Sequence, residues 1–225
     1  MTRLFLLLAI LSLVAAPLFG QEILTAPDYF DRVSERYTEI SDYTAELRIL
    51  NDETTYAGQL FYRSPNLIRI DFEEPEGQVL VSNGEELQVY IPRYNVVLTQ
   101  QLLSEGGAGP ATVANAEGLD LLRRNYSIAY EDSPDPVPLE EDSEEMVTKL
   151  LLTWRSTNEG YRQLTLSIGE DLLIRRILGV TIGFQEVQFD FVNVRLNQNI
   201  PVARFDYEAP SSANTFEDFL FEREE

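Results

Sequence analysis

Between residues 56 and 103 the chain repeats one pattern, in which a short run of alternating apolar and polar residues is followed by a turn signal. Runs of this kind form strands, and turns this short join neighbouring strands into antiparallel hairpins. Asn83-Gly84 is the pair that best tolerates the positive φ angles of a type I′ turn. The stretch therefore predicts a meander of strands, divided by turns at 64–66, 75–77, 83–84 and 92–95.

Each predicted strand has one apolar face. In the first strand Leu47 and Ile49 alternate with Glu46 and Arg48. A sheet built this way has one face in water and one dry face. Gly58 lies inside the second strand, where the lack of a side chain permits a bulge or a sharp bend. The apolar alternation continues through Leu60, Tyr62, Ile68, Ile70, Phe72, Leu87, Val89 and Ile91.

A second meander begins at Val147 and repeats the alternation. Phe205 and Tyr207 predict a last short strand that ends at Pro210. The pattern gives about ten or eleven strands, and a sheet of that size curls instead of staying flat. Because few helices are available to fill it, the curled sheet is expected to enclose an apolar hollow. The inward residues of this meander are Leu150, Leu152, Trp154, Leu164, Leu166, Ile168, Val187, Phe189 and Phe191.

An amphipathic helix is predicted over residues 25–40. Thr25 and Asp28 form a capping box at its start, and Pro27 occupies the first turn, where its missing N–H is harmless. The helix either covers the sheet or plugs an open end of it. A second, shorter helix is predicted over residues 111–124. The apolar face of the first helix contains Phe30, Val33, Tyr37 and Ile40.

Residues 1–20 have the features of a secretory signal peptide. Arg3 supplies the positive charge, an apolar run follows, and Gly20 ends a usable cleavage site. The apolar run is short for a bilayer span, which favours a cleaved signal over an uncleaved anchor. The predicted domain then covers residues 21–210. It carries an exposed, acidic and proline-rich insertion at 133–145 and is followed by a loosely held acidic tail at 211–225.

Composition excludes several classes of function. The chain has no cysteine and no histidine, so it lacks disulfides, a lipid-modified cysteine, histidine-activated nucleophiles and the usual zinc sites. Its 38 acidic and 17 basic residues argue against nucleic acid as a partner. Glu73-Glu74 and Glu140-Glu141 remain candidates for an acid hydrolase, but adjacent carboxylates in turns are normally solvated. We therefore predict a protein that is not an enzyme and needs no cofactor or metal.

A set of turn and core residues carries a recognisable signature. It consists of Gly58-Gln59-Leu60, Pro65-Asn66, Arg69, Pro75, Gln78-Val79-Leu80-Val81-Ser82-Asn83-Gly84, Leu87, Tyr90, Pro92, Asn193, Phe205 and Pro210. This signature resembles the periplasmic outer-membrane lipoprotein carriers of the LolA family. The resemblance implies an incomplete antiparallel β-barrel with a helical lid, which holds acyl chains in the periplasm. It also implies two partners, an inner-membrane ABC transporter that supplies lipoproteins and an outer-membrane acceptor that receives them.

One position departs from the family pattern. The resemblance implies an arginine directly before the proline of the second turn, where it holds the lid shut through hydrogen bonds. Ser64 occupies that place here, and the nearest arginine is Arg63. Neighbouring strand residues point to opposite faces, so Arg63 acts as a lid latch only if a bulge turns it inward. Arg69 is interpreted as a solvated residue of the outer face.

Acyl chains need a shield from water, because burying each CH₂ group is worth about 0.8 kcal/mol. We therefore predict a monomeric carrier that holds lipoprotein acyl chains in an apolar cavity and shuttles them from the inner to the outer membrane. The alternative is a lipid-sensing or envelope-stress regulatory module on the same fold. The predicted lining of the cavity is Leu47, Ile49, Leu60, Tyr62, Ile68, Ile70, Phe72, Leu152, Trp154, Phe189 and Phe191.

Overall fold

The computed structural model describes residues 24–51, 54–102, 114–157 and 159–217, and the predicted signal peptide lies outside them. The part before residue 103 contains α1 (Ala26–Thr38), β1 (Asp42–Asn51), β2 (Thr54–Arg63), β3 (Leu67–Glu74), β4 (Val79–Ser82), β5 (Glu86–Ile91) and β6 (Val96–Gln101). The later part contains α2 (Ala116–Asn125), β7 (Tyr126–Tyr130), β8 (Val137–Pro138), β9 (Met146–Trp154), β10 (Tyr161–Gly169), β11 (Ile174–Thr181), β12 (Glu186–Leu196) and β13 (Asn214–Glu217). Neither helix of these described segments has the length and hydropathy that a bilayer crossing needs.

All thirteen strands belong to one sheet. Their order is β13-β6-β5-β4-β3-β2-β1-β12-β11-β10-β9-β7, and β8 pairs with β9 beside this path. The pairing of β1 with β12 joins the two predicted meanders at the middle of the sheet. All pairs are antiparallel except β13 with β6. Since β13 and β7 lie at opposite ends of the order, the sheet curls without closing, which confirms the predicted incomplete, mainly β barrel.

Gly58 marks a bend between β2 and β3. The pairing register of these strands shifts between Ala57 and Gly58. A Cβ atom on Gly58 would lie 2.4 Å from the carbonyl oxygen of Asp71 and 2.7 Å from the Cα atom of Phe72. Both are backbone atoms, which cannot rotate away as the end of a side chain can. The structure therefore confirms the irregularity that the sequence predicts at this glycine.

Helix α1 packs on the inner face of the sheet. The Thr25 hydroxyl caps it by accepting a hydrogen bond from the Asp28 amide at 3.3 Å, as predicted. Phe30, Val33 and Tyr37 are buried in one apolar cluster with the inner residues of β1–β3 and β9–β12. Of the two predicted arrangements, the helix therefore adopts the one that covers the sheet.

Helix α2 covers the same face but begins later than predicted. The Asn115 side chain caps it by accepting a hydrogen bond from the Gly118 amide at 2.8 Å. Leu119 and Leu122 are buried in the cluster that contains the apolar face of α1. Residues 111–113 of the predicted helix lie outside the described residues. β7 follows α2 directly, and the sequence analysis assigned no strand there.

The C-terminal segment crosses the outer face of the sheet. A 3₁₀ turn at Val202–Phe205 stands where the sequence predicted a last strand, so that prediction is wrong. Ile200 and Phe205 are buried with Val81 in a second apolar cluster. The described part of the tail is not loosely held as predicted, because Asn214–Glu217 pairs with β6. Residues 218–225 of the tail lie outside the described residues. The segment thus covers part of the outer face and one edge of the sheet.

The acidic insertion at 133–145 is anchored to the sheet. Its residues Val137–Pro138 pair with β9. The Glu140 carboxylate accepts a hydrogen bond from the Arg176 guanidinium at 2.7 Å, and Glu145 forms an ion pair with Arg175. The insertion is exposed, as predicted, but these contacts fix its course along the surface.

The turn at Asn83-Gly84 differs from the predicted type. A type I′ turn requires positive φ at both central residues, whereas only Gly84 has a positive φ here, of 91°. The Asn83 side chain instead accepts hydrogen bonds from the amides of Glu85 and Glu86, at 2.9 and 2.8 Å. The predicted hairpin is present, and the type I′ assignment is wrong.

Candidate functional site

The predicted site residues lie together on the inner face of the sheet. All eleven predicted lining residues point to this face. Nine of them are buried, and Ile49 and Trp154 are half-buried. The alternation in the sequence therefore places the set on one side of the sheet correctly. Their binding of acyl chains stays a prediction.

Tyrosine hydroxyl groups tie the helices to the sheet. The Tyr43 hydroxyl on β1 donates to the carbonyl of Ala114, just before α2, at 2.9 Å. The Tyr37 hydroxyl on α1 accepts a hydrogen bond from the Ile174 amide at the start of β11, at 3.0 Å. These two neutral hydrogen bonds, each worth about 1 kcal/mol, add to the apolar contacts that hold α1 and α2 on the sheet.

Burial keeps these hydroxyl groups protonated. Desolvation raises the pKa of Tyr37 and of Tyr43 well above the ordinary value of a tyrosine. It also raises the pKa of Tyr126 to about 12, at the point where α2 ends and β7 begins. The Tyr126 hydroxyl donates to the carbonyl of Tyr161 at 2.8 Å. The tyrosines therefore act as uncharged hydrogen-bonding groups across the physiological pH range.

One ion pair joins the two helices to each other. Two guanidinium nitrogens of Arg123 on α2 donate to the two carboxylate oxygens of Asp31 on α1, at 2.7 and 3.2 Å. Both side chains are more than a third exposed, so water screens the attraction. This pair couples α1 to α2.

The helices leave little free space over the part of the inner face that they cover. A cavity of about 10 Å³ lies between Tyr37, Tyr43, Leu173 and Phe191. That volume holds about one water molecule. The hollow expected from the sequence is therefore filled here by side chains of the protein itself. An alkyl chain fits on this surface only after α1 and α2 move outward.

Arg63 does not contact the helices. Its guanidinium donates to the carbonyl of Ile200, in the segment that crosses the outer face. The pairing of β1 with β2 runs without a register shift past Tyr62 and Arg63, so no bulge turns Arg63 inward. The assignment of Arg63 as a lid latch is corrected, because in this conformation it binds the C-terminal segment instead.

Arg69 and Arg204 form a network that the sequence pattern does not predict. Arg69 donates to the Asp71 carboxylate at 2.8 Å and to the carbonyl of Arg204 at 3.0 Å. Arg204 in turn donates to Asp71 at 2.6 Å and stacks on Phe61 with 4.1 Å between its guanidinium carbon and the ring centre. Arg69 is therefore not a solvated residue but fastens the C-terminal segment. No local signal joins partners this far apart in the chain.

Sequence comparison identifies the family of this sheet and lid. The model of the family described as outer membrane lipoprotein carrier protein LolA matches residues 49–208. The chain belongs to the LolA family. The outer-membrane lipoprotein carrier protein of Alkalilimnicola ehrlichii is 24% identical over 217 residues, covering 94% of this chain and 92% of that one. The corresponding protein of Azotobacter vinelandii is 23% identical over 162 residues and covers 72% of each chain.

A solved structure supports the fold of this LolA-family chain. An uncharacterized conserved protein from Thermus thermophilus matches it with a TM-score of 0.54 at 14% sequence identity. The match covers 83% of this chain and 98% of that one. At this identity the likeness concerns the fold alone.

The inner face of this LolA-family sheet extends beyond the predicted lining. Five apolar residues of β5 and β6 point inward but are only half-buried. Phe216 lies beside them on β13 with 55% of its surface exposed. Leu87, Val89 and Ile91 form an alternating run in the sequence but are not part of the predicted lining. The five residues are Leu87, Val89, Ile91, Val96 and Leu98.

Proposed function

We propose that this protein is a periplasmic carrier that binds the acyl chains of lipoproteins on the inner face of its sheet. It takes them from an inner-membrane transporter of the ABC type and delivers them to an acceptor at the outer membrane. The observation that carries this proposal is an extended apolar sheet face, part of which two separate helices cover. Membership of a periplasmic carrier family supports the same conclusion.

The energetics of such a cover suit a reversible carrier. Each buried CH₂ group of an acyl chain contributes about 0.8 kcal/mol, so a lipoprotein gains substantially when its chains leave water. The helices lose apolar contacts of their own when they move away, and this loss offsets part of the gain. The net affinity is therefore moderate, which allows the cargo to be released to an acceptor.

The mechanism needs no reacting group. The tyrosines at the helix–sheet boundary stay neutral, and Tyr43 loses its bond to Ala114 when α2 lifts. Tyr37 likewise separates from Ile174 when α1 lifts. The exposed inner face then offers apolar side chains to the cargo. The protein acts by binding and release, in keeping with the non-catalytic character of LolA carriers.

The proposal is tested by measuring what the protein carries. The mature chain is exported in a Gram-negative host, purified without detergent and extracted with chloroform and methanol. We expect mass spectrometry of the extract to find diacylated or triacylated lipoproteins. In a second measurement, spheroplasts that retain new lipoproteins are incubated with the purified protein, and release into the medium is followed.

Two neighbouring residues on β1 supply a matched pair of variants. Ile49 is half-buried on the inner face, and Leu50 follows it on the outer face with 40% of its surface exposed. We expect Ile49→Gln to weaken acyl binding about tenfold, because it puts an amide on the binding surface. Leu50→Gln is expected to bind like the unaltered protein. Equal binding by both variants, or purified protein that yields no lipid on extraction and releases no lipoprotein from spheroplasts, contradicts the proposal. A stable complex with an inner-membrane regulator, without lipid, indicates the sensing function instead.

A further inference from the structure

We infer that the part of the inner face that neither of the two described helices covers is a second acyl-binding surface, which holds an alkyl chain while α1 and α2 remain closed. We call this surface the open shelf. This inference rests on the proposed carrier function, and it places a second cargo-binding surface outside the area that α1 and α2 cover. The open shelf consists of Leu87, Val89, Ile91, Val96, Leu98 and Phe216.

Strand pairing brings the six side chains together. Val89 lies opposite Leu98, and Ile91 lies opposite Val96, in the antiparallel pairing of β5 with β6. Phe216 lies opposite Leu98 in the parallel pairing of β13 with β6. Directly opposed residues point to the same face, so all of these side chains share one surface. Strand spacing and rise make it roughly 10 Å wide and 13 Å long, a strip that contacts part of one extended alkyl chain.

The open shelf belongs to neither apolar cluster of the described residues. The inner cluster includes the faces of α1 and α2 and the strands that they cover. The outer cluster includes Val81, Ile200 and Phe205 on the opposite face. Leu80 on β4 is half-buried and packs against the inner cluster, and it lies opposite Val89 on β5. The open shelf is therefore continuous, through Leu80, with the surface under the helices.

The charge distribution selects an uncharged, apolar occupant. The protein has a formal net charge of −21, yet the inward positions of β5 and β6 carry no charged side chain. Glu86, the one charged residue of these two strands, points outward with Gln88 and Gln101, which both donate to it. A second copy of the chain carries the same negative charge, and the two copies repel each other. An alkyl chain meets no such repulsion.

The terminal strand widens the open shelf. β13 adds alongside β6 and places Phe216 at the margin of the surface, where more than half of the ring is exposed. Beside it, Leu98 is half-buried. An alkyl chain lying along β6 contacts both side chains at once. Because no helix has to move for this contact, we expect it to form before the lid opens.

The test uses palmitic acid that carries a photoreactive diazirine. The mature protein is irradiated with this fatty acid, digested and analysed by mass spectrometry, with unlabelled palmitic acid as competitor. We expect saturable labels on the peptides that contain residues 86–101 and on Phe216. We expect the Val89→Gln, Leu98→Gln double variant to lose these labels and to bind fluorescent fatty acid about tenfold more weakly. Phe216→Ser removes only an exposed side chain, so it tests the surface without endangering the fold.

A matched control lies on the opposite face. Val192 is a valine of β12 with 38% of its surface exposed, and Val192→Gln is expected to leave labelling and affinity unchanged. If the saturable labels are confined to the strands under the helices, the proposal of the open shelf is wrong and the proposed carrier function is retained. Self-association of the lipid-free protein in sedimentation, lost in the double variant, also overturns it, since a second copy is then the occupant. An absence of saturable labels anywhere contradicts both proposals.

Discussion

The inner face of the sheet has two parts, whose side chains differ in how far they are buried. Around Leu166, the strands carry α1 and α2, and the side chains are fully buried. Around Leu98, the strands carry the same alternation of apolar residues, but the side chains are only half-buried. The sequence pattern is equivalent in the two parts, and the reach of two short helices decides between them. The comparison teaches that alternation predicts which face is apolar, and not whether the protein itself fills that face.

The largest expected difference between the two parts is in stability. Leu166→Ala removes a fully buried side chain and is expected to lower the free energy of unfolding by about 2–5 kcal/mol. Leu98→Ala, in the half-exposed part, is expected to lower it by less than about 1 kcal/mol. Urea denaturation of both variants measures these values. Equal losses would show that the two parts are packed alike.

Alkaline pH is expected to destabilise first the part of the sheet that α1 and α2 cover. The raised pKa values of Tyr37 and Tyr43 favour the neutral form in the folded state. Their contribution is fully present below pH 10, the unfolded pKa, and is lost as pH rises from there towards the folded pKa values. Each tyrosine then lowers stability by about 1.4 kcal/mol per pH unit. Urea titrations between pH 9 and 11.5 measure the slope, which Tyr43→Phe is expected to make shallower.

The bend at Gly58 lies among the covered strands. We expect Gly58→Ala to cost about 1–3 kcal/mol, because the added methyl group meets backbone atoms of Asp71 and Phe72. Thermal unfolding measures this loss. Gly160→Ala is the control, since a Cβ atom there meets no other atom within 4 Å. If Gly58→Ala loses no more stability than Gly160→Ala, then β2 and β3 accommodate the added methyl group by moving apart.

The smallest expected effect concerns the ion pair between the helices. Asp31→Asn and Arg123→Gln are each expected to change stability by about 0.5 kcal/mol, with a coupling energy of similar size in a double-mutant cycle. Asp120→Asn is the control, because Asp120 pairs with Arg124 within α2 and does not link the helices. If the lid moves as one unit, Asp31→Asn raises hydrogen exchange in both helices, whereas Asp120→Asn leaves α1 unchanged.

Local patterns predicted the parts of the fold that depend on near neighbours. The alternation of Leu60 and Tyr62, the cap at Thr25 and the irregularity at Gly58 follow from adjacent residues, and all three are present. The hairpins of the first meander were predicted for the same reason. The assignment of individual inward residues was therefore reliable, because a strand has a period of two.

The missed features depend on partners far along the chain. β13 is short and shows no alternation, and its partner β6 lies more than a hundred residues earlier. Asp71 shares the outer face with Arg69 by strand alternation, but Arg204 lies far along the chain and only folding brings it to Arg69. The open shelf was missed for a different reason, since the sequence shows its residues but not which strands the helices leave uncovered.

The parallel pairing of β13 has a consequence for folding. β13 follows its partner β6 by more than a hundred residues, so the strand that covers β6 is made long after β6 itself. Until β13 is in place, β6 presents unpaired backbone groups, which readily recruit strands of other molecules. A chain that terminates before β13 is therefore expected to aggregate more readily than one that contains it.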